Sequence, residues 1–132
     1  MIRLALVLAL LAQPIMAHKN HSPYDAPDRL WQLVELNGKP FTDRALLRFP
    51  RPGRIEGQAP CNRFVGTMRS AYPWFKAEEI AATRMACPAL QAETLFLQSL
   101  GKMTTAEIGE NELSLRGEDG QVMRFTPAKP DE

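Results

Sequence analysis

The sequence has almost no excess of charge of either sign. Its 132 residues carry 16 Lys and Arg against 15 Asp and Glu, a formal net charge of +1. Proteins that bind nucleic acid or an anionic membrane surface usually carry a clear basic excess. The composition therefore predicts no nucleic-acid partner and no binding to an anionic membrane surface, and the length favours a single domain.

The longest apolar run is too short to cross a membrane. It covers residues 4–12, nine residues in all, whereas a membrane-spanning helix needs about 20. Arg3 precedes the run, and Pro14 and the small Ala17 follow it, which is the pattern of a secretory signal. We predict a signal peptide over residues 1–17, with cleavage after Ala12 as the alternative. An ordinary buried helix is the competing interpretation, but it would have no polar face.

Cysteine is scarce, and the two cysteines stand far apart, at Cys61 and Cys87. Neither cysteine stands directly after the predicted cleavage site, where a lipid would be attached. We therefore expect no lipid anchor in the membrane after cleavage, and we expect the protein to be periplasmic or secreted. Because they form no CxxC pair, and because exported chains meet an oxidising compartment, a structural disulfide is favoured over free thiols or a metal or redox role. Closing a loop of about 27 residues would stabilise the fold by roughly 3.6 kcal/mol.

Histidine is equally scarce, and His18 and His21 both lie in a polar segment, residues 18–27, which is predicted to be a flexible leader. They are distant in sequence from any candidate nucleophile, so no catalytic triad is expected. We predict no catalytic residues, no metal site and no cofactor in the domain. One alternative is weak Cu(II) binding by His18 and His21, since imidazole suits copper.

Short strands joined by tight turns dominate the remaining sequence. Asn37-Gly38 and Asp119-Gly120 are strong turn signals. Alternation of apolar and polar residues predicts seven or eight strands. The predicted strands are 30–36, 46–49, 54–58, 62–68, 73–77, 104–108, 112–116 and 122–125. Residues 79–86 are consistent with either a strand or a turn.

One helix is predicted to begin near Pro88 and to stop at Gly101. Its apolar stripe consists of Ala89, Ala92, Phe96, Leu100 and Met103, widened by Leu90 and Leu97. Gln91, Glu93 and Gln98 are assigned to the rest of the surface. Because short connections make the strands antiparallel, we predict an α+β fold: a strongly curved antiparallel sheet, a half-open barrel, packed around one helix.

Four motifs follow one another within residues 28–126. They are Trp31-Gln32-Leu33, Cys61-Asn62-Arg63-Phe64-Val65-Gly66, Thr83-Arg84-Met85-Ala86-Cys87 and Glu93-Thr94-Leu95-Phe96-Leu97. This order resembles the META-domain family, whose bacterial members include the HslJ heat-shock lipoprotein. Two differences are Pro60, where the family usually has glycine, and the missing lipidation cysteine. The motif residues carried over are Trp31, Leu33, Asn62, Phe64, Gly66, Thr83 and Met85.

Asn62 and Thr83 have two interpretations. Their side chains could face a ligand, but short polar side chains near turns commonly bond to neighbouring backbone. We favour the second interpretation. The aromatic residues, in the same way, are assigned to the core rather than to a ligand pocket, because a domain of this size needs them there.

The resemblance implies an antiparallel sheet around one helix and an envelope or secreted location, with loose links to stress response and secretion. No catalytic residues are established for the family. We therefore expect a META-like domain over residues 28–126 and a charged tail over 127–132. The expected protein is non-enzymatic, exported and monomeric, and binds or supports an unknown envelope protein or small ligand through the concave side of its sheet. The alternatives are an inhibitor of a secreted hydrolase such as lysozyme, and the weak metal binding described above.

Overall fold

A computed structural model describes residues 9–14 and 21–129. Most of the predicted signal segment, including Ala17, and the end of the tail, residues 130–132, lie outside these residues. The described chain forms nine strands and one helix. They are β1 (Trp31–Leu36), β2 (Lys39–Pro40), β3 (Leu46–Arg48), β4 (Gly53–Gln58), β5 (Arg63–Met68), β6 (Glu78–Ala82), α1 (Leu90–Leu100), β7 (Met103–Ile108), β8 (Leu113–Gly117) and β9 (Val122–Pro127).

All strands belong to one antiparallel sheet, in the order β6-β5-β4-β3-β1-β9-β8-β7, with β2 paired to β1. The β1–β2 hairpin turns at Asn37 and Gly38, whose φ angles of 50° and 80° are both positive. A two-residue hairpin of this kind requires such angles, which asparagine and glycine adopt most readily. The predicted α+β class, with a curled antiparallel sheet around one helix, is confirmed.

A single stretch of chain, residues 73–82, reaches both edges of the sheet. Trp74 forms an antiparallel bridge with Thr105 of β7, and the Phe75 amide donates to the Thr104 carbonyl at 2.9 Å. A few residues later the same stretch becomes β6, which pairs with β5. The predicted strand at 73–77 is therefore reduced to one bridge, and the ambiguous segment 79–86 contributes most of β6. This stretch gives the curled sheet its nearly closed shape.

The concave side of the sheet is filled by the helix and the inward-pointing strand residues. Phe96 of α1 meets Phe64 of β5 edge to face, with ring centroids 5.6 Å apart. The largest fully buried side chains are Trp31, Phe64, Phe75, Phe96, Phe125, Leu33, Leu47, Ile55, Leu100, Met103, Leu113 and Leu115. Burying these side chains stabilises the fold and leaves them inaccessible to a partner.

The predicted leader contributes one residue to the core. Tyr24 is buried, its ring lies 4.9 Å from that of Phe49, and its hydroxyl donates to the Trp74 carbonyl at 2.6 Å. Burial raises the pKa of the Tyr24 hydroxyl, and Tyr72 adds to the effect. The packed part of the domain thus begins before Asp28, because a single aromatic side chain attaches an otherwise polar segment to the sheet.

Candidate functional site

A covalent bond links the motif that leads into β5 to the motif that precedes α1. Cys61 and Cys87 form a disulfide, with their Cα atoms 5.6 Å apart. Cys61 lies two residues before β5, and Cys87 lies three residues before α1. The predicted disulfide is therefore present, and it fastens the start of the helix to the sheet.

Asn62 is the centre of this cluster, and its buried side-chain amide uses its full bonding capacity. Its Nδ2 donates to the Met85 carbonyl at 3.0 Å and to Glu93 Oε2 at 2.6 Å. Its Oδ1 accepts from the Thr83 hydroxyl at 3.0 Å and from the Met85 amide at 2.6 Å. The side chain thus joins three segments of the chain.

Glu93 is the residue that the sequence interpretation misplaced. The sequence pattern predicts Glu93 on the solvent-facing part of the helix, but it is only 5% exposed. Its Oε1 accepts from the backbone amides of Cys61 at 3.0 Å and Asn62 at 2.7 Å. It also stands in the first turn of α1, where the helix dipole favours a carboxylate. We call Asn62, Thr83 and Glu93, with the Cys61–Cys87 bond, the latch.

The remaining motif residues have separate places. Trp31, Leu33 and Phe64 belong to the core. Gly66 allows close approach of two strands, since a Cβ there would lie 3.0 Å from the Glu78 carbonyl oxygen. Met85 contributes its backbone to the latch, while its side chain is 65% exposed. The structure therefore brings the C-N-x-F-x-G, T-x-M-A-C and helix motifs together.

The latch is an internal structural device. Among the described residues, every buried side-chain nitrogen or oxygen has a hydrogen-bond partner. The buried polar side chains of the latch, Asn62 and Glu93, are thus bonded within the protein, and the arrangement holds the helix against the sheet.

A groove open to solvent lies instead on the convex side of the sheet, across β3, β4 and β5. Successive residues of a strand point to opposite faces, so the neighbours of buried Leu47, Ile55 and Phe64 face outward. The groove has a volume of about 570 Å³. Its outward-facing lining is Leu30, Leu46, Arg48, Arg54, Glu56, Gln58, Arg63 and Val65. We call this the outer groove.

The charges of the outer groove are ordered around one carboxylate. Glu56 accepts from Arg48 Nε at 2.8 Å and from Arg54 Nε at 3.2 Å. Desolvation of Glu56 opposes ionisation, but its hydrogen bonds and its attraction to the two guanidinium groups prevail and lower its pKa. Arg48 stands directly opposite Glu56 in the register of β3 and β4. The ion pairs therefore hold two arginines in defined positions.

The residues considered for metal binding are only partly described. His18 lies outside the described residues, and His21 lies within them. Over residues 9–14 and 21–129, no group of three or more His, Cys, Asp or Glu side chains is placed to hold a metal ion. Within the same residues, no helix has both the length and the apolar character to cross a membrane.

Comparison with known proteins identifies the domain type and the fold. The sequence model of the META domain family matches residues 25–130 of this chain. A protein from Burkholderia xenovorans solved by NMR is 20% identical, with a TM-score of 0.64 over 78% of this chain and 83% of the other. A DUF4847 family protein from Bacteroides vulgatus, solved by crystallography, is 16% identical, with a TM-score of 0.60 over 80% of this chain and 96% of the other. No curated protein matches the sequence.

Proposed function

The chain belongs to the META domain family, and from this premise we propose that it is an exported, non-enzymatic protein of the bacterial cell envelope. Its role would be to bind or support another envelope component, in connection with stress response or secretion. The proposed location is the periplasm or the exterior. The sheet would serve as a rigid platform, and the partner would contact its exposed convex side.

The Cys61–Cys87 disulfide is the observation that carries this proposal. Such bonds form and persist in oxidising compartments and are rare in a reducing cytosol. The signal-like pattern before Ala17 supports the same location. The disulfide also belongs to the latch, so the compartment that oxidises it would also complete the fold.

The arrangement of polar groups supports binding rather than chemistry. Latch groups are bonded to one another, which makes them a poor source of a free nucleophile or base. The outer groove, by contrast, exposes charged side chains that are held in place by ion pairs. A fixed, exposed and chemically diverse surface suits recognition of a partner.

Export is tested by expressing the full chain in a bacterium and separating periplasm from cytoplasm. We expect a periplasmic product that begins at His18 and contains no alkylatable thiol before reduction. A variant with Ala17→Glu, which removes the small residue at the predicted cleavage site, is the matched control and should stay uncleaved. Recovery of the chain in the cytoplasm with two free thiols would contradict the proposal.

The proposed role is tested against inhibition of a hydrolase. The oxidised protein is titrated into a lysozyme assay, and the same preparation is cross-linked to envelope proteins in intact cells. We expect an unchanged lysozyme rate and a specific cross-linked partner that is lost when the outer groove is altered. Stoichiometric inhibition of lysozyme would instead make the protein an inhibitor.

A further inference from the structure

The outer groove has an arginine rim and one exposed apolar side chain. Leu46 faces outward but is only 6% exposed, so it offers almost no surface to a partner. Val65, on the other side of the groove, is 37% exposed. Exposed apolar surface such as that of Val65 favours the burial of an apolar side chain from a partner.

The register of the strands sets the positions of the three arginines. Glu56 of β4 stands between Arg48 of β3 and Val65 of β5. In the next row, Gln58 stands between Leu46 and Arg63. Arg48 and Arg63 therefore lie on the two flanking strands of the groove, with Glu56 and Gln58 of β4 between those strands.

The three arginines differ in their bonding. Arg48 and Arg54 share Glu56, which orients them. The guanidinium group of Arg63 forms no ion pair within residues 21–129, where its backbone amide bonds to Thr83. A guanidinium group binds a carboxylate through two parallel hydrogen bonds. Arg63 is therefore free to take a carboxylate from outside, and the rim keeps a positive excess over Glu56.

Charge is separated on a larger scale as well. Residues 43–69, which include β3, β4 and β5, contain six arginines against Asp43 and Glu56. Residues 103–120, which include β7 and β8, contain five acidic residues against Arg116. A chain with a net charge of only +1 thus presents a basic side, and such a field steers an acidic partner to that side.

We infer that the outer groove binds an acidic peptide segment of a partner protein, with its carboxylates on Arg48 and Arg63 and an apolar side chain over Val65. The inference rests on the proposed binding role and names the chemistry of its partner. A peptide suits the groove better than a nucleic acid, because closely spaced phosphates would be placed over the carboxylate of Glu56. The spaced acids and apolar side chains of a peptide avoid that repulsion.

The test measures binding of a short fluorescein-labelled peptide of glutamate, leucine and serine to the purified, oxidised full chain by fluorescence anisotropy. Two variants are compared, Arg48→Gln with Arg63→Gln, and Lys102→Gln with Arg116→Gln. Both remove two positive charges, but the second pair is exposed at β7 and β8, the acidic part of the chain. A matched peptide with lysine in place of glutamate is the ligand control.

We expect the dissociation constant to rise at least about tenfold for the groove variant, since charge-assisted bonds to a carboxylate are lost, and to change less than about twofold for the control variant. Equal losses in both variants, equal binding of the lysine peptide, or no binding by the unaltered chain would overturn the inference. The inference would also be overturned if inorganic polyphosphate displaced the labelled peptide at a concentration of negative charges lower than the unlabelled peptide needs. If the fractionation experiment recovered a cytoplasmic chain with free thiols, only the proposed export would be contradicted. The binding assay would be unaffected, because it uses oxidised protein in solution.

Discussion

The side-chain amide of Asn62 donates to the carboxylate of Glu93 across 31 residues of sequence, at a distance of 2.6 Å. The two residues belong to motifs that are separate in the sequence, one just before β5 and one in α1. Their bond explains why both motifs occur together. The Asn62 side chain positions the segment after β6, and the Glu93 carboxylate accepts hydrogen bonds from that side chain and from the backbone amides of Cys61 and Asn62. The disulfide beside them holds the same junction covalently.

The latch predicts a large cost for a small change at Glu93. In Glu93→Gln, an NH₂ group replaces an oxygen that accepts from Asn62 or from the amides of Cys61 and Asn62, so buried donors face each other. Leaving buried donors unsatisfied costs about 1–3 kcal/mol each. We expect the free energy of unfolding to fall by about 2–4 kcal/mol in urea titrations. The exposed Glu107→Gln is the control, and an equally small loss in both variants would disprove the latch.

The disulfide predicts sensitivity to reductant. Cutting a bond that closes a loop of about 27 residues should lower the free energy of unfolding by roughly 3–4 kcal/mol. The measurement compares urea midpoints of the oxidised chain with and without dithiothreitol. The Cys61→Ala, Cys87→Ala double variant is the control, because its midpoint should already be low and should not move on reduction. A reductant-insensitive unaltered chain would contradict this prediction.

Gly57 predicts a steric effect at the centre of the sheet. A Cβ at this position would lie 1.9 Å from the backbone oxygen of Leu46 and 2.8 Å from the ring of Phe64. The backbone cannot retreat without breaking the β3–β4 ladder, so Gly57→Ala should destabilise the fold by about 3 kcal/mol or more. At Gly109 the nearest atom is 3.6 Å away. Gly109→Ala should therefore change the thermal midpoint little, and similar midpoints for both variants would count against the described packing.

Tyr24 predicts that the segment before Asp28 contributes to stability. Tyr24→Phe removes the hydrogen bond to Trp74 and keeps the ring, so it should cost about 1 kcal/mol. Tyr24→Ala also removes the ring from between Phe49 and Tyr72 and should cost about 3–4 kcal/mol. Calorimetry of both variants measures the difference. If Tyr24→Ala were as stable as His21→Ala, an exposed position in the same segment, the ring would contribute nothing.

Glu56 predicts a dependence of stability on pH. Its folded-state pKa is lowered from the ordinary 4.5, where Arg48 and Arg54 outweigh desolvation. A lowered folded pKa adds stability above the unfolded pKa, and that stability is lost as pH falls through the folded value. The difference in unfolding free energy between the unaltered chain and Glu56→Gln should thus be largest at neutral pH and shrink below about 4.5. High salt should reduce it, and a difference that grows in acid would contradict the assignment.

The sequence patterns predicted the architecture because its signals are local. Asn37-Gly38 specifies its own turn, and the stripe from Phe96 to Leu100 specifies a helix face. The cysteine pair was predictable because the signal-like pattern of residues 1–17 predicts an oxidising compartment. Glu93 was misplaced because a helical carboxylate is ordinarily solvated. Its spacing of three and seven residues from Phe96 and Leu100, which puts it on the buried face, was the signal available.

The outer groove was not predictable, because it depends on register. Nothing in the sequence states that Arg48 faces Glu56, or that Gln58 faces Arg63. A shift of one residue in β4 would turn Glu56 and Gln58 to the core. Tyr24 was missed for a related reason: its partners, Phe49, Tyr72 and Trp74, come from distant segments, and the polar residues around it indicated solvent.

The position of β9 has a consequence for the timing of folding. It is the last strand along the chain, yet it lies between β1 and β8 in the middle of the sheet. A nascent chain that lacks β9 can form the β7–β8 hairpin and the β3–β5 meander, but it has no strand between β1 and β8. Completion of the sheet must therefore wait until β9 has been synthesised.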